Sequence, residues 1–122
     1  MNDGDRRTAG MRVRREVLGD AHVDASLGRL TELNEEFQDL ITRYAWGEIW
    51  TRPGLDRATR SCITIAMLVA QSRWEELPLH LHGAVRNGLT VDQVREVLLQ
   101  SAIYCGVPAA NTAFAIAERE LG

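Results

Sequence analysis

Glu76 and His80 stand four residues apart in Arg73-Trp74-Glu75-Glu76-Leu77-Pro78-Leu79-His80-Leu81-His82. On a helix, positions i and i+4 share a face one turn apart. A carboxylate and an imidazole are then brought together beside the apolar Leu77, Ala84 and Val85. Such a pair can hold a histidine in one tautomer and favour its charged form, which suits proton transfer near neutral pH. The same spacing also describes an ordinary surface pair worth about 0.3–0.5 kcal/mol. His82 is two residues from His80 and faces elsewhere, so it reads as non-catalytic. His22 receives no role.

The remaining chemistry-bearing residues narrow the field. All fourteen basic residues are Arg. Without Lys there is no side-chain Schiff base, no pyridoxal phosphate held as a lysine imine, and no P-loop. Arg suits bidentate binding of carboxylates, although codon preference alone would also give this composition. The two cysteines, Cys62 and Cys105, are 43 positions apart in the chain and each sits in an apolar run. No Cys-x-x-Cys pair and no clustered His/Cys set is present, so neither a structural metal site nor dithiol redox chemistry is expected. Both thiols read as small buried hydrophobes.

A length of 122 residues sets the scale at one domain with one core. The formal net charge is −3 and no basic stripe is present, which argues against nucleic acid as a partner. No apolar run approaches the roughly 18 residues that span a bilayer. Residues 1–10 are polar and lack a signal-peptide core, so a disordered lead-in and a cytoplasmic location are expected, with the domain over 11–122.

The elements that would position these residues are helices. A short helix is expected over 11–19. A longer one follows over 26–46, where Leu27, Leu30, Leu33, Phe37, Leu40, Ile41 and Tyr44 recur at spacings of three and four. Residues 47–54 form a connection closed by Pro53-Gly54. A central helix spans 55–71, with Asp56 as N-cap and an almost wholly apolar stretch over 63–70. Ser72 is the expected cap of the next helix, which starts near Trp74 and ends at Gly88. Thr90 and Gln93 form a capping box that opens a helix with Val91, Val94, Val97, Leu98, Ala102 and Ile103 as its stripe. Gly106 ends it, and Pro108 sits in the first turn of an Ala-rich last helix to Leu121. No alternating run argues for a strand, so the chain reads as all-α.

Three segments together carry a family resemblance. They are Trp46-Gly47-Glu48-Ile49-Trp50-Thr51-Arg52-Pro53-Gly54-Leu55-Asp56, the Glu76/His80 segment, and Ile103-Tyr104-Cys105-Gly106-Val107-Pro108-Ala109-Ala110-Asn111. The chain resembles the carboxymuconolactone decarboxylase family of the alkylhydroperoxidase-like superfamily over roughly residues 13–121. The first segment marks the branch that works in protocatechuate catabolism, in the β-ketoadipate pathway. His80 matches the superfamily histidine, whereas its two cysteine positions fall on Arg73 and Glu76 and its upstream glutamate on Ser61. The peroxide-reducing apparatus is therefore missing residue by residue.

The resemblance implies a single-domain helical bundle of the alkylhydroperoxidase-like type, assembled as a homo-oligomer, often a hexamer. It also implies a small anionic lactone as substrate, decarboxylated to an enol-lactone and CO2 with no cofactor and no metal. That reaction needs cations for the anionic groups, a donor for the developing oxyanion, and an acid that protonates ring carbon. Arg52, held before Pro53, is the first candidate clamp, Arg60 the second and Arg73 the third. His80 is the proton donor with Glu76 orienting it. Trp46 and Tyr104 could wall the site, or simply pack in the core. Two competing readings are a thiol-dependent peroxidase partner, which the missing Cys-x-x-Cys opposes, and a non-catalytic helical interaction module.

Overall fold

The computed structural model describes all 122 residues, and every regular element in it is helical. The chain is all-α, as its periodicity predicts, and it divides into two compact units, residues 1–55 and 56–122. No helix is long and apolar enough to cross a membrane.

In the N-terminal unit α1 spans Asp3–Leu18 and α2 spans Asp20–Leu27. Residues 3–10, expected as a disordered lead-in, are the first two turns of α1. Two features explain the difference. Asn2 Oδ1 accepts the Asp5 N–H at 2.8 Å while Asp5 takes the Asn2 N–H at 3.3 Å, a reciprocal capping box. Asp3 and Asp5 also place negative charge on the positive end of the helix dipole.

The long helix expected over 26–46 is broken. Residues 28–34 turn, with Thr31 N–H donating to Asn34 Oδ1 at 2.8 Å. Short polar side chains here offer the backbone partners that compete with a helix. The chain becomes helical again as α3, Glu35–Leu40, and runs directly into a π-helix, Ile41–Ile49. This π-helix covers part of the segment expected as a connection, and Trp50 N–H still bonds Ala45 O, five residues back, at 3.0 Å.

α1 and the π-helix meet backbone to backbone. A Cβ on Gly10 would collide with Thr42 O, and one on Gly47 with Arg6 O. The tryptophans on either side of that contact, Trp46 and Trp50, stack with centroids 5.1 Å apart. The Trp-Gly-x-x-Trp motif is thus a packing device: its glycine admits α1 and its aromatics lean on each other. Arg14 is buried at the same junction. It donates to Thr42 Oγ1 at 3.2 Å, Ser26 Oγ at 3.3 Å and Gln38 Oε1 at 3.0 Å, tying α1 to the other elements of the unit.

In the C-terminal unit four helices enclose one core. They are α4 (Arg57–Ala70), α5 (Leu77–Arg86), α6 (Val91–Cys105) and α7 (Val107–Leu121). Asp56 caps α4 by accepting the Thr59 N–H at 2.7 Å. Thr90 and Gln93 make the expected capping box on α6, and Pro108 lies in the first turn of α7. Ile65 and Val69 of α4, Leu77, Leu81 and Ala84 of α5, Val94 and Leu98 of α6, and Ala113 and Ile116 of α7 fill the core. The 63–70 stretch is only half absorbed by it, since Ile63 and Met67 stay exposed.

Candidate functional site

The site is built on the α4–α5 hairpin. α4 ends at Ala70, and Ser72 adopts φ +55° just beyond it. Ser72 N–H bonds Val69 O at 3.2 Å and Arg73 N–H bonds Leu68 O at 2.8 Å, the two bonds of a Schellman stop. Ser72 therefore terminates α4, where the sequence reading makes it the cap of the next helix. α5 begins at Leu77, three residues further on than the expected start near Trp74. This later start explains Pro78. As the second residue of the helix it gives up an N–H that no helical carbonyl would have used.

His80 sits in the first turn of α5 and is half-buried. Its backbone N–H donates to Glu76 O at 3.4 Å. Glu76 is the last residue before the helix, with φ −87° and ψ −20°. Its side chain is exposed and makes no capping bond. The one-turn relation between the two residues is therefore present in the backbone, with Glu76 at the entrance to the helix instead of within it.

The other end of the hairpin is closed by Asn87, whose Nδ2 donates to Ser61 Oγ at 2.9 Å. Ser61 is only 3% exposed. Asn87 follows His80 by seven residues, about 10 Å along the axis and almost on the same face. The His80 face of α5 is thus turned toward α4. This polar tie was not anticipated: a lone Ser between Arg60 and Cys62, and an Asn before a helix-ending Gly, carry no periodic signal. Arg60 lies half-buried on α4, next to Ser61, and Arg73 is exposed in the turn between the two helices.

The remaining candidates fall elsewhere. Tyr104 is 84% exposed near the end of α6. With Cys62, Cys105, Ser101, Gln100 and Val97 it lines a cavity of about 330 Å³ between α4 and α6, and His80 is not part of that lining. Both cysteines are half-buried and free. Burial, and secondarily the charge of Asp56, push the Cys62 thiol up, which keeps it protonated and unreactive. Trp46 and Arg52 belong to the N-terminal unit. Trp46 is 5% exposed, whereas the Arg52 side chain is largely exposed and 3.7 Å from Glu48. His82 is exposed and lies 3.3 Å from the Glu120 carboxylate of α7. Burial, followed by the charges of Arg14 and Arg29, lowers the His22 pKa. No group of three or more His, Cys, Asp or Glu side chains converges as metal ligands would.

Comparison with known proteins places this geometry in context. A model of the carboxymuconolactone decarboxylase family matches residues 35–119. The chain is 49% identical over 118 residues to 4-carboxymuconolactone decarboxylase of Acinetobacter baylyi, covering 97% of this chain and 88% of that one. It is 41% identical over 112 residues to nitrosuccinic acid decarboxylase of Metarhizium robertsii, covering 92% and 78%. A 4-carboxymuconolactone decarboxylase sequence from Pseudomonas putida is 56% identical over 48 residues, which is all of that sequence and 39% of this chain.

Proposed function

The chain belongs to the carboxymuconolactone decarboxylase family, and from that premise we propose that it decarboxylates 4-carboxymuconolactone to 3-oxoadipate enol-lactone and CO2. The observation that carries this reading is the 49% identity to the Acinetobacter decarboxylase along nearly the whole chain. The geometry of α5 agrees with it, because the one histidine left from the superfamily pattern is half-buried on the face turned toward α4.

The chemistry asks little of the protein. The bond from the ring carbon to its carboxylate breaks, CO2 leaves, and the electron pair moves through the ring double bond toward the lactone carbonyl. That carbonyl is the electron sink, so the step as written uses no metal and no cofactor. His80, as the imidazolium, protonates the ring carbon beside the carbonyl and is recharged from solvent. Glu76 supports the charged imidazole. Arg60, half-buried on α4 beside Ser61, holds an anionic group with its forked donors.

The protein works in protocatechuate catabolism, in the cytoplasm, as a homo-oligomer of hexameric type. Its exposed apolar side chains on α3, the π-helix, α4 and α6 support self-association. The decisive experiment mixes purified protein with the lactone and follows CO2 release without added cofactor. Turnover of nitrosuccinate in place of the lactone would overturn the substrate. Activity lost on exhaustive chelator dialysis and restored by one metal would overturn the cofactor-free step.

A further inference from the structure

Arg14 is the one charged side chain among the buried residues, at 6% exposed. Its hydrogen bonds go to neutral oxygens alone: Thr42 Oγ1, Ser26 Oγ and Gln38 Oε1. No carboxylate pairs with it, and its Nε is buried with no acceptor. Burial lowers its pKa, yet a guanidinium keeps its proton in proteins, so the charge remains. A cation taken out of water without a counter-charge is costly, because neutral oxygens return only part of its lost solvation. Its field also reaches its neighbours: burial, followed by the charges of Arg14 and Arg29, lowers the pKa of His22 on α2.

Arg14 also lines a cavity of about 130 Å³ among α1, α2, α3 and the π-helix. Gln38 and Thr42, two of its acceptors, stand in the same wall. The other charges of the lining are accounted for. Asp39 is held by Arg7 at 2.6 and 3.1 Å and by Arg43 at 2.8 Å, and Glu35 is exposed to solvent. We propose that this cavity binds one small monovalent anion, a halide or a one-carbon carboxylate, which accepts the Arg14 Nε–H and supplies the counter-charge. Volume and charge both set the class. A cavity of about 150 Å³ admits a benzene ring, so chloride or formate fits here and the six-carbon gluconate does not. The carboxylates of Asp39 and Glu35 repel a sulfate or phosphate, whereas one guanidinium without a counter-ion balances a single charge. The bound anion adds a tie between α1 and the rest of this unit, so stability follows the anion supplied. The inference stands apart from the decarboxylation proposed above.

The test uses the full chain and three sodium salts at equal ionic strength: chloride, formate and gluconate. Thermal melts of the wild type should give a Tm about 2–4 °C higher in chloride or formate than in gluconate. Chloride NMR supplies the second readout. The wild type should broaden the chloride line, and formate should reverse the broadening far better than gluconate does. Exposed arginines are open to both carboxylates and cannot make that distinction. Arg14→Gln should lose both contrasts while keeping its helical circular dichroism, and Arg12→Gln, an exposed position on the same helix, should keep them. Equal melts in all three salts, or equal displacement by formate and gluconate, would overturn the site. A contrast that persists in folded Arg14→Gln would overturn it as well. Should Arg14→Gln fail to fold, the wild-type contrast between formate and gluconate still decides. Neither readout depends on which lactone is turned over.

Discussion

The amide of His80 reaches the carbonyl of Glu76 at 3.4 Å across the entrance to α5, while the Glu76 carboxylate stands exposed outside the helix. In the proposed mechanism the glutamate supports the charged imidazole from outside the helix. His80→Gln should lower kcat by about 10² to 10⁴, the range for removal of a general acid. It should change KM far less, because the proposed mechanism assigns the substrate's anionic groups to Arg. Glu76→Gln should cost less than tenfold, and the double variant should resemble His80→Gln alone. Steady-state kinetics decide the matter: a folded His80→Gln protein with more than a tenth of wild-type turnover would move the proton donor to another residue, with Tyr104 next to test.

Gly47 has no room for a methyl group, because its Cβ would occupy the position of Arg6 O on α1. Gly47→Ala should therefore separate α1 from the π-helix and destabilise the protein by about 1–3 kcal/mol. Gly54, in the turn before α4, has nothing within 4 Å of the corresponding position. Gly54→Ala should change stability by about 0.5 kcal/mol or less. Urea denaturation of both variants checks the contrast, and equal losses would show that the close approach at Gly47 does not limit stability.

Acid should loosen the N-terminal unit through Asp39. The hydrogen bonds from the Arg7 guanidinium, at 2.6 Å, and from Arg43, at 2.8 Å, hold this carboxyl at about 2, below its usual 3.8. A depressed carboxyl pKa stabilises the fold at any pH above the unfolded value, and the contribution disappears as pH falls through the folded one. The stability advantage of wild type over Asp39→Asn should be full at pH 5, shrink below about pH 4, and be lost near pH 2. Because the pair is partly exposed, added salt should weaken it. Thermal melts of both proteins across this range test the sign, and a gap that widens toward pH 2 would contradict it.

Replacing both cysteines should spare catalysis. Cys62 and Cys105 line the cavity between α4 and α6, apart from His80, and the Cys62 thiol is held protonated by burial and by Asp56. The double Ser variant should keep kcat within about tenfold and lose about 1–3 kcal/mol of stability from altered packing. Loss of turnover in a folded double variant would assign the thiols a role that the geometry denies them.

The sequence by itself determined the helical class, the capping of α4 by Asp56 and of α6 by Thr90 and Gln93, the stop at Gly88, and the family to which His80 belongs. These are local matters. A cap, a turn or a 3.6-residue stripe is decided by side chains within a few positions of the backbone they act on. Tertiary structure decided the rest. It seated Gly10 of α1 against Thr42 of a helix more than thirty residues away. It opened the second expected helix at 28–34 and wound 41–49 into a π-helix, although the apolar spacing runs unbroken through both. It placed Glu76 outside α5 by starting that helix at Leu77, where Pro78 costs nothing. It also joined Ser61 to Asn87 and buried Arg14 among neutral acceptors, pairings across 26 and up to 28 positions of chain that no spacing announces. Contacts between distant segments depend on which faces meet, and that is settled only when the whole unit has packed.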